Sequence, residues 1–147
     1  MKILFTHSYN LSEQEIKFVR GVVGIYFIFL TESEIAYPLG SSKLIYIGMS
    51  DSKQNSIFKR LGGHLSGQSG NMGISNYAMA QRVKFSFYSA EVLSNYGNEN
   101  LFDIESFFLS DFLNRYGCYP ICNGQSGHKP SEESHLITAT VDWSFFE

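Results

Sequence analysis

Apolar residues change their spacing several times along this chain, and each change marks an element. Residues 24–30 (GIYFIFL) are apolar on both parities, the pattern of a strand buried on both faces. Residues 43–48 repeat the pattern, and a hairpin with the first strand follows. Residues 84–88 alternate, with Phe85 and Phe87 opposed to Lys84, Ser86 and Tyr88, as a half-buried strand does. Residues 56–65 and 77–82 read as helices, with Gly62 and Gly63 each costing the first about 1 kcal/mol relative to alanine. Residues 101–116 have the clearest helical period, and Gly117 is a natural stop.

The segments between are weaker signals. Residues 1–10 read as a short strand or arm. Ser12-x-x-Glu15 is a capping box that opens a helix over 13–20. Residues 31–42 read as a connecting loop, 66–75 (SGQSGNMGIS) as a mobile Gly/Ser-rich loop, and 135–145 as a weak strand. The expectation is one compact α+β domain over residues 1–147.

Composition supports a packed globule: 44% of the 147 residues are hydrophobic and 16% aromatic. The longest apolar stretch is too short to span a bilayer, and the first residues lack the layout of a signal peptide. Cys118 and Cys122 match neither a zinc site nor a disulfide framework, so a cytoplasmic location is the default expectation. A redox or metal-storage role for two such thiols has little support.

The net charge of −3 argues against nucleic acid until it is mapped. Residues 43–84 carry Lys43, Lys53, Lys59, Arg60, Arg82 and Lys84 against Asp51, which leaves five cations against thirteen anions elsewhere. A basic middle on an acidic body fits a phosphate-binding face, and it fits an ordinary solvated region equally well.

Chemistry enters through a carboxylate on an apolar face. At 3.6 residues per turn, Leu101, Glu105, Phe108, Leu109 and Phe112 form one stripe, with Asp103, Ser106, Ser110 and Asn114 opposite. A buried carboxylate costs several kcal/mol unless it is paired, protonated or bound to a cation. A structural salt bridge would account for Glu105 alone. Other features widen the reading: Tyr26 and Tyr46 stand inside apolar strands, and Arg60 and His64 share a helix face at i, i+4. Tyrosine and histidine can move protons, arginine can hold a phosphate, and one carboxylate can anchor a hydrated Mg²⁺. These are the parts of a phosphodiesterase site.

Gly24-Ile25-Tyr26 and Tyr46-Ile47-Gly48 resemble the two signature triplets of the GIY-YIG nucleases. The resemblance runs through Arg60, His64, Glu105 and Asn123 (in YPICN) and covers about residues 22–125. It implies a central three-stranded antiparallel sheet flanked by helices, and divalent-metal-dependent hydrolysis of DNA with one Mg²⁺ or Mn²⁺ per site. It makes Glu105 the metal ligand, Tyr26 the general base, and Arg60 the group that binds the scissile phosphate. It gives Tyr46 and His64 roles in placing the water or moving its proton, and has Asn123 contact nucleic acid or brace the site. A free tyrosine with a pKa of about 10 is ionised only about one time in a thousand at neutral pH. The choice of base therefore stays open between Tyr26 and His64.

The chain departs from the family at Met49, where many relatives carry a lysine, and in a longer segment from Gly48 to Arg60. Lys53 or Lys59 would replace the missing phosphate contact, and Gly48 would let backbone and phosphate approach. Double-stranded DNA is the expected partner, with loop 66–75 and residues 126–147 as places for added contacts. A homodimer or a targeting subunit would supply further specificity. The alternative reading is a non-catalytic module of this fold that binds nucleic acid or protein.

Overall fold

The computed structural model describes residues 2–96, 100–124 and 139–147. Its main sheet is antiparallel and holds four strands: β2 (Tyr9–Asn10), β7 (Val83–Ser89), β3 (Gly24–Leu30) and β6 (Leu44–Ser50), in that spatial order. The expected sheet had three strands. The three seven-residue strands stand where the sequence pattern put them, and β2 adds a short fourth beside Phe85 and Lys84.

Two smaller pairings were not expected. Strand β1 (Lys2–Ile3) runs parallel to β8 (Thr140–Val141). Within the expected loop 31–42, β4 (Ile35–Tyr37) and β5 (Gly40–Ser42) form a hairpin. The expected helix over 13–20 is a single 3-10 turn, Ile16–Val19. Only half of its capping box forms: the Ser12 hydroxyl accepts the Glu15 N–H at 3.2 Å, while the Glu15 carboxylate turns to Asn10.

Helix α1 (Ile57–Ser66) follows β6, and α2 (Met72–Ala80) begins inside the stretch expected to be a loop. A single turn, α3 (Ala90–Leu93), precedes the long helix α4 (Leu101–Tyr116), whose bounds match the sequence pattern. Among the described residues no helix is long and apolar enough to cross a membrane.

Alternation along β3 divides the core in two. Ile25, Phe27 and Phe29 pack with Ile104, Phe108, Leu109 and Phe112 of α4. Tyr26, Ile28 and Leu30 pack on the other side with Ile57 and Leu61 of α1 and Ile74 of α2. The stripe predicted for α4 is buried from Glu105 onward, Glu105 included, while Leu101 at its start is partly buried. Asp103 and Ser106, expected on the water side, are buried as well.

Through Val141, Trp143 and Phe146, residues 139–147 pack onto the α4 side of the core. Trp143 and Phe146 are buried, and the Trp143 indole N–H donates to Asp111 Oδ2 at 2.7 Å. Of the expected strand over 135–145, the described part holds β8 and a 3-10 turn, Trp143–Phe146; residues 126–138, with the start of that strand and much of the expected contact segment, lie outside the described residues.

Candidate active site

The site begins with a bulge. Strand β6 pairs Gly48 with Tyr26 and Tyr46 with Ile28, but Leu44 rather than Ile45 with Phe29. The extra residue switches the parity of the strand. Leu44 thereby joins the α4 side of the core, while Tyr46 lies beside Tyr26 on the α1 side. The two phenol rings are 6.0 Å apart between centroids.

Glycine is demanded in both triplets by close approach. A Cβ on Gly24 would stand 2.0 Å from the Tyr88 carbonyl oxygen of the neighbouring strand. A Cβ on Gly48 would stand 2.4 Å from Tyr26 Cζ and 2.7 Å from Tyr46 Cε1. On the side where a Cβ would stand, the space at Gly48 is taken by the tyrosine pair.

Helix α1 brings in the next groups. Ile57, Leu61 and His64 line its buried side, three positions spaced four and three apart. The imidazole faces both phenols, with centroid distances of 6.0 Å to Tyr26 and 5.2 Å to Tyr46. Its Nε2 is 3.0 Å from the Tyr26 hydroxyl and its Nδ1 is 2.8 Å from Ser69 Oγ. Ser69 was not singled out in the sequence, and its place in a Gly/Ser loop gave no signal. Arg60, one turn before His64, is exposed at the rim.

Burial, and after it the charge of Arg60, holds the His64 pKa down to about 4, so the ring is neutral at pH 7. Tyr26 is only 1% exposed. Burial pushes its hydroxyl well above the ordinary tyrosine value, Tyr46 adds to the rise, Arg60 opposes it and Glu105 adds to it. Tyr46 is raised chiefly by burial and then by the Glu105 charge, with Tyr26 and Arg60 pulling the other way. The resting pair is thus a neutral phenol hydrogen-bonded to a neutral imidazole. Proton transfer needs a reason to occur, such as an added cation or anionic substrate nearby.

Glu105 comes from the opposite side of the sheet. Its residue is 8% exposed, and its charge reaches both Tyr26 and Tyr46. The described residues hold no group of three or more His, Cys, Asp or Glu fit for a metal. A site with one carboxylate suits a hydrated Mg²⁺, which takes one or two carboxylates and keeps several waters.

No family model, no curated protein and no solved structure matches the chain.

The other expected nucleic-acid contacts divide. Lys53 and Lys59 are exposed, Lys53 in a 3-10 turn that takes up the long segment before α1. Buried Ser50 closes that segment by donating to the Asn55 carbonyl at 2.5 Å. Asn123 is committed to the protein: its Oδ1 accepts the Ile47 N–H at 2.9 Å, and its Nδ2 donates to the Ile47 carbonyl at 2.8 Å. Of the two roles the resemblance allowed it, these bonds perform bracing. Met49 is buried in the α4-side core, where a lysine ammonium would have no water.

Proposed function

We propose that this protein is a metal-dependent DNA endonuclease of the GIY-YIG type, acting through one Mg²⁺ or Mn²⁺ held by Glu105. One observation carries the reading. Arg60 on α1 and Glu105 on α4, helices on opposite faces of the sheet, both bring their charges to the Tyr26–Tyr46 pair. A structural ion pair has no need of a buried phenol, a half-buried one and a neutral histidine beside it.

Glu105 would hold the ion, which would supply Lewis-acid polarisation of the phosphate. Tyr26 gives its proton to His64 Nε2 as it takes one from the attacking water, so the His64 ring ends protonated. The hydroxide forms a new P–O bond, the bond to the leaving oxygen breaks, and Arg60 stabilises the extra negative charge. Tyr46 holds the water beside Tyr26. The exposed Lys53, Lys59 and Arg60 supply attraction to the phosphate backbone, which weakens as salt rises.

The test is a plasmid-nicking assay in Mg²⁺ and in Mn²⁺. Wild type nicks, while Glu105→Gln and Arg60→Ala lose nicking with unchanged circular dichroism and thermal midpoint. Retained nicking in both variants, or DNA binding by wild type without any nicking, overturns the reading. The second result would leave a binding module.

A further inference from the structure

We propose that Ser69 is a positioning residue that holds His64 as its Nδ1–H tautomer, leaving Nε2 free to accept the proton of Tyr26. The catalytic consequence rests on the nuclease reading above, whereas the tautomer itself does not.

Both ring nitrogens of His64 have a hydroxyl partner, Tyr26 at 3.0 Å from Nε2 and Ser69 at 2.8 Å from Nδ1. A neutral imidazole donates through one nitrogen and accepts through the other, so the two hydroxyls must act in opposite senses. Acidity decides the direction. A phenol is a far stronger acid than an alcohol, hence the better donor and the poorer acceptor. Surroundings point the same way: Tyr26 is buried, while exposed Ser69 can turn its own O–H to water. The chain of donation therefore runs from Tyr26 O–H to Nε2, and from Nδ1–H to Ser69 Oγ.

Ser69 is itself fixed in place. Its N–H donates to the Gly63 carbonyl at 3.1 Å, and its Oγ accepts the Asn71 N–H at 3.2 Å. Gly67 and Gly70 on either side take φ of +83° and +76°, the left-handed region where glycine is favoured. Asn71 caps α2 through the Ile74 N–H and donates to the Cys122 carbonyl at 2.9 Å. The tautomer of His64 is thus tied to the loop 67–71 and, through it, to the segment that braces β6. When His64 takes the proton from Tyr26, Ser69 Oγ goes on accepting from Nδ1–H, so no hydrogen bond has to be remade.

Two-bond ¹H–¹⁵N correlation spectra of the imidazole rings at pH 7 test this, with His64→Gln identifying the His64 signals. Wild type shows the Nδ1–H pattern. Ser69→Ala shifts the His64 nitrogens toward a mixture of tautomers, and Ser69→Thr restores them. In the nicking assay Ser69→Ala lowers kcat about tenfold or more with KM unchanged, a part of the 10²–10⁴ that positioned proton transfer supplies. An Nε2–H pattern in wild type, or an unchanged pattern in Ser69→Ala, overturns the proposal. The Nδ1–H pattern in wild type and its shift in Ser69→Ala, in a protein that never nicks DNA, support the Ser69 assignment and overturn the nuclease reading instead.

Discussion

Tyr26 lies across Gly48 so closely that a Cβ at residue 48 would meet the phenol oxygen at 2.5 Å. Strand β3 supplies the ring and β6 supplies the gap beneath it. Gly48→Ala overpacks this contact at a cost of about 1–3 kcal/mol and moves the Tyr26 hydroxyl away from His64. Nicking should fall to near background while the variant still folds, by denaturant titration. Wild-type nicking in Gly48→Ala would show that the ring does not depend on this gap.

Asn123 is a brace for β6. Asn123→Ala strands the Ile47 N–H and carbonyl, which costs about 1–3 kcal/mol. Asn123→Asp keeps the acceptor for the N–H but sets a carboxylate against the Ile47 carbonyl, so it should be no better. Urea midpoints should drop in both, and the salt dependence of DNA affinity should stay as in wild type. A shallower salt slope with unchanged stability would return Asn123 to the phosphate contacts.

Buried neutral His64 makes the fold sensitive to acid. Its pKa is about 4 in the native state and about 6.5 when unfolded. Between these values the unfolded chain binds the proton and the native state does not, so stability falls as pH drops from about 6.5 to 4. The loss reaches about 3 kcal/mol below the native pKa. His64→Gln removes this part of the slope. Urea unfolding of both proteins at pH 7, 5.5 and 4.5 should show their stabilities converging; parallel curves would mean that His64 takes up its proton in the native state.

Gly62 offers a contrasting substitution. A Cβ there meets only Ile16 Cδ1, at 3.9 Å, an ordinary contact. Gly62→Ala should therefore stabilise the protein by about 0.5–1 kcal/mol through helix propensity alone, with nicking unchanged. A lower thermal midpoint would reveal crowding between α1 and the turn Ile16–Val19.

The strands β3 and β6 and the helix α4 were legible because each buries a periodic set of side chains, and period is written locally. Glu105 stood out for the same reason, as an exception to its stripe. Tyr26, Tyr46, Arg60 and His64 were legible as types at suggestive spacings. The parts that escaped depend on pairings between distant segments. The gap at Gly48 exists only because β3 lies opposite, Asn123 could contact nucleic acid or brace the site until its amide met Ile47, and residues 139–147 gave no strong period although they cover the α4 side of the core. Ser69 escaped because a serine in a Gly/Ser loop looks like any other.

Strand β6 ends the sheet on one side, and such an edge ordinarily invites another chain to pair with it. Here the invitation is withdrawn residue by residue. The Lys43 N–H just before the strand goes to Phe146, the Ile45 carbonyl accepts the Cys122 N–H, and both backbone groups of Ile47 are held by Asn123. The contacts that steady the strand carrying Tyr46 therefore also protect the molecule against edge-to-edge aggregation, and weakening Asn123 should expose a sticky strand as well as a loosened site.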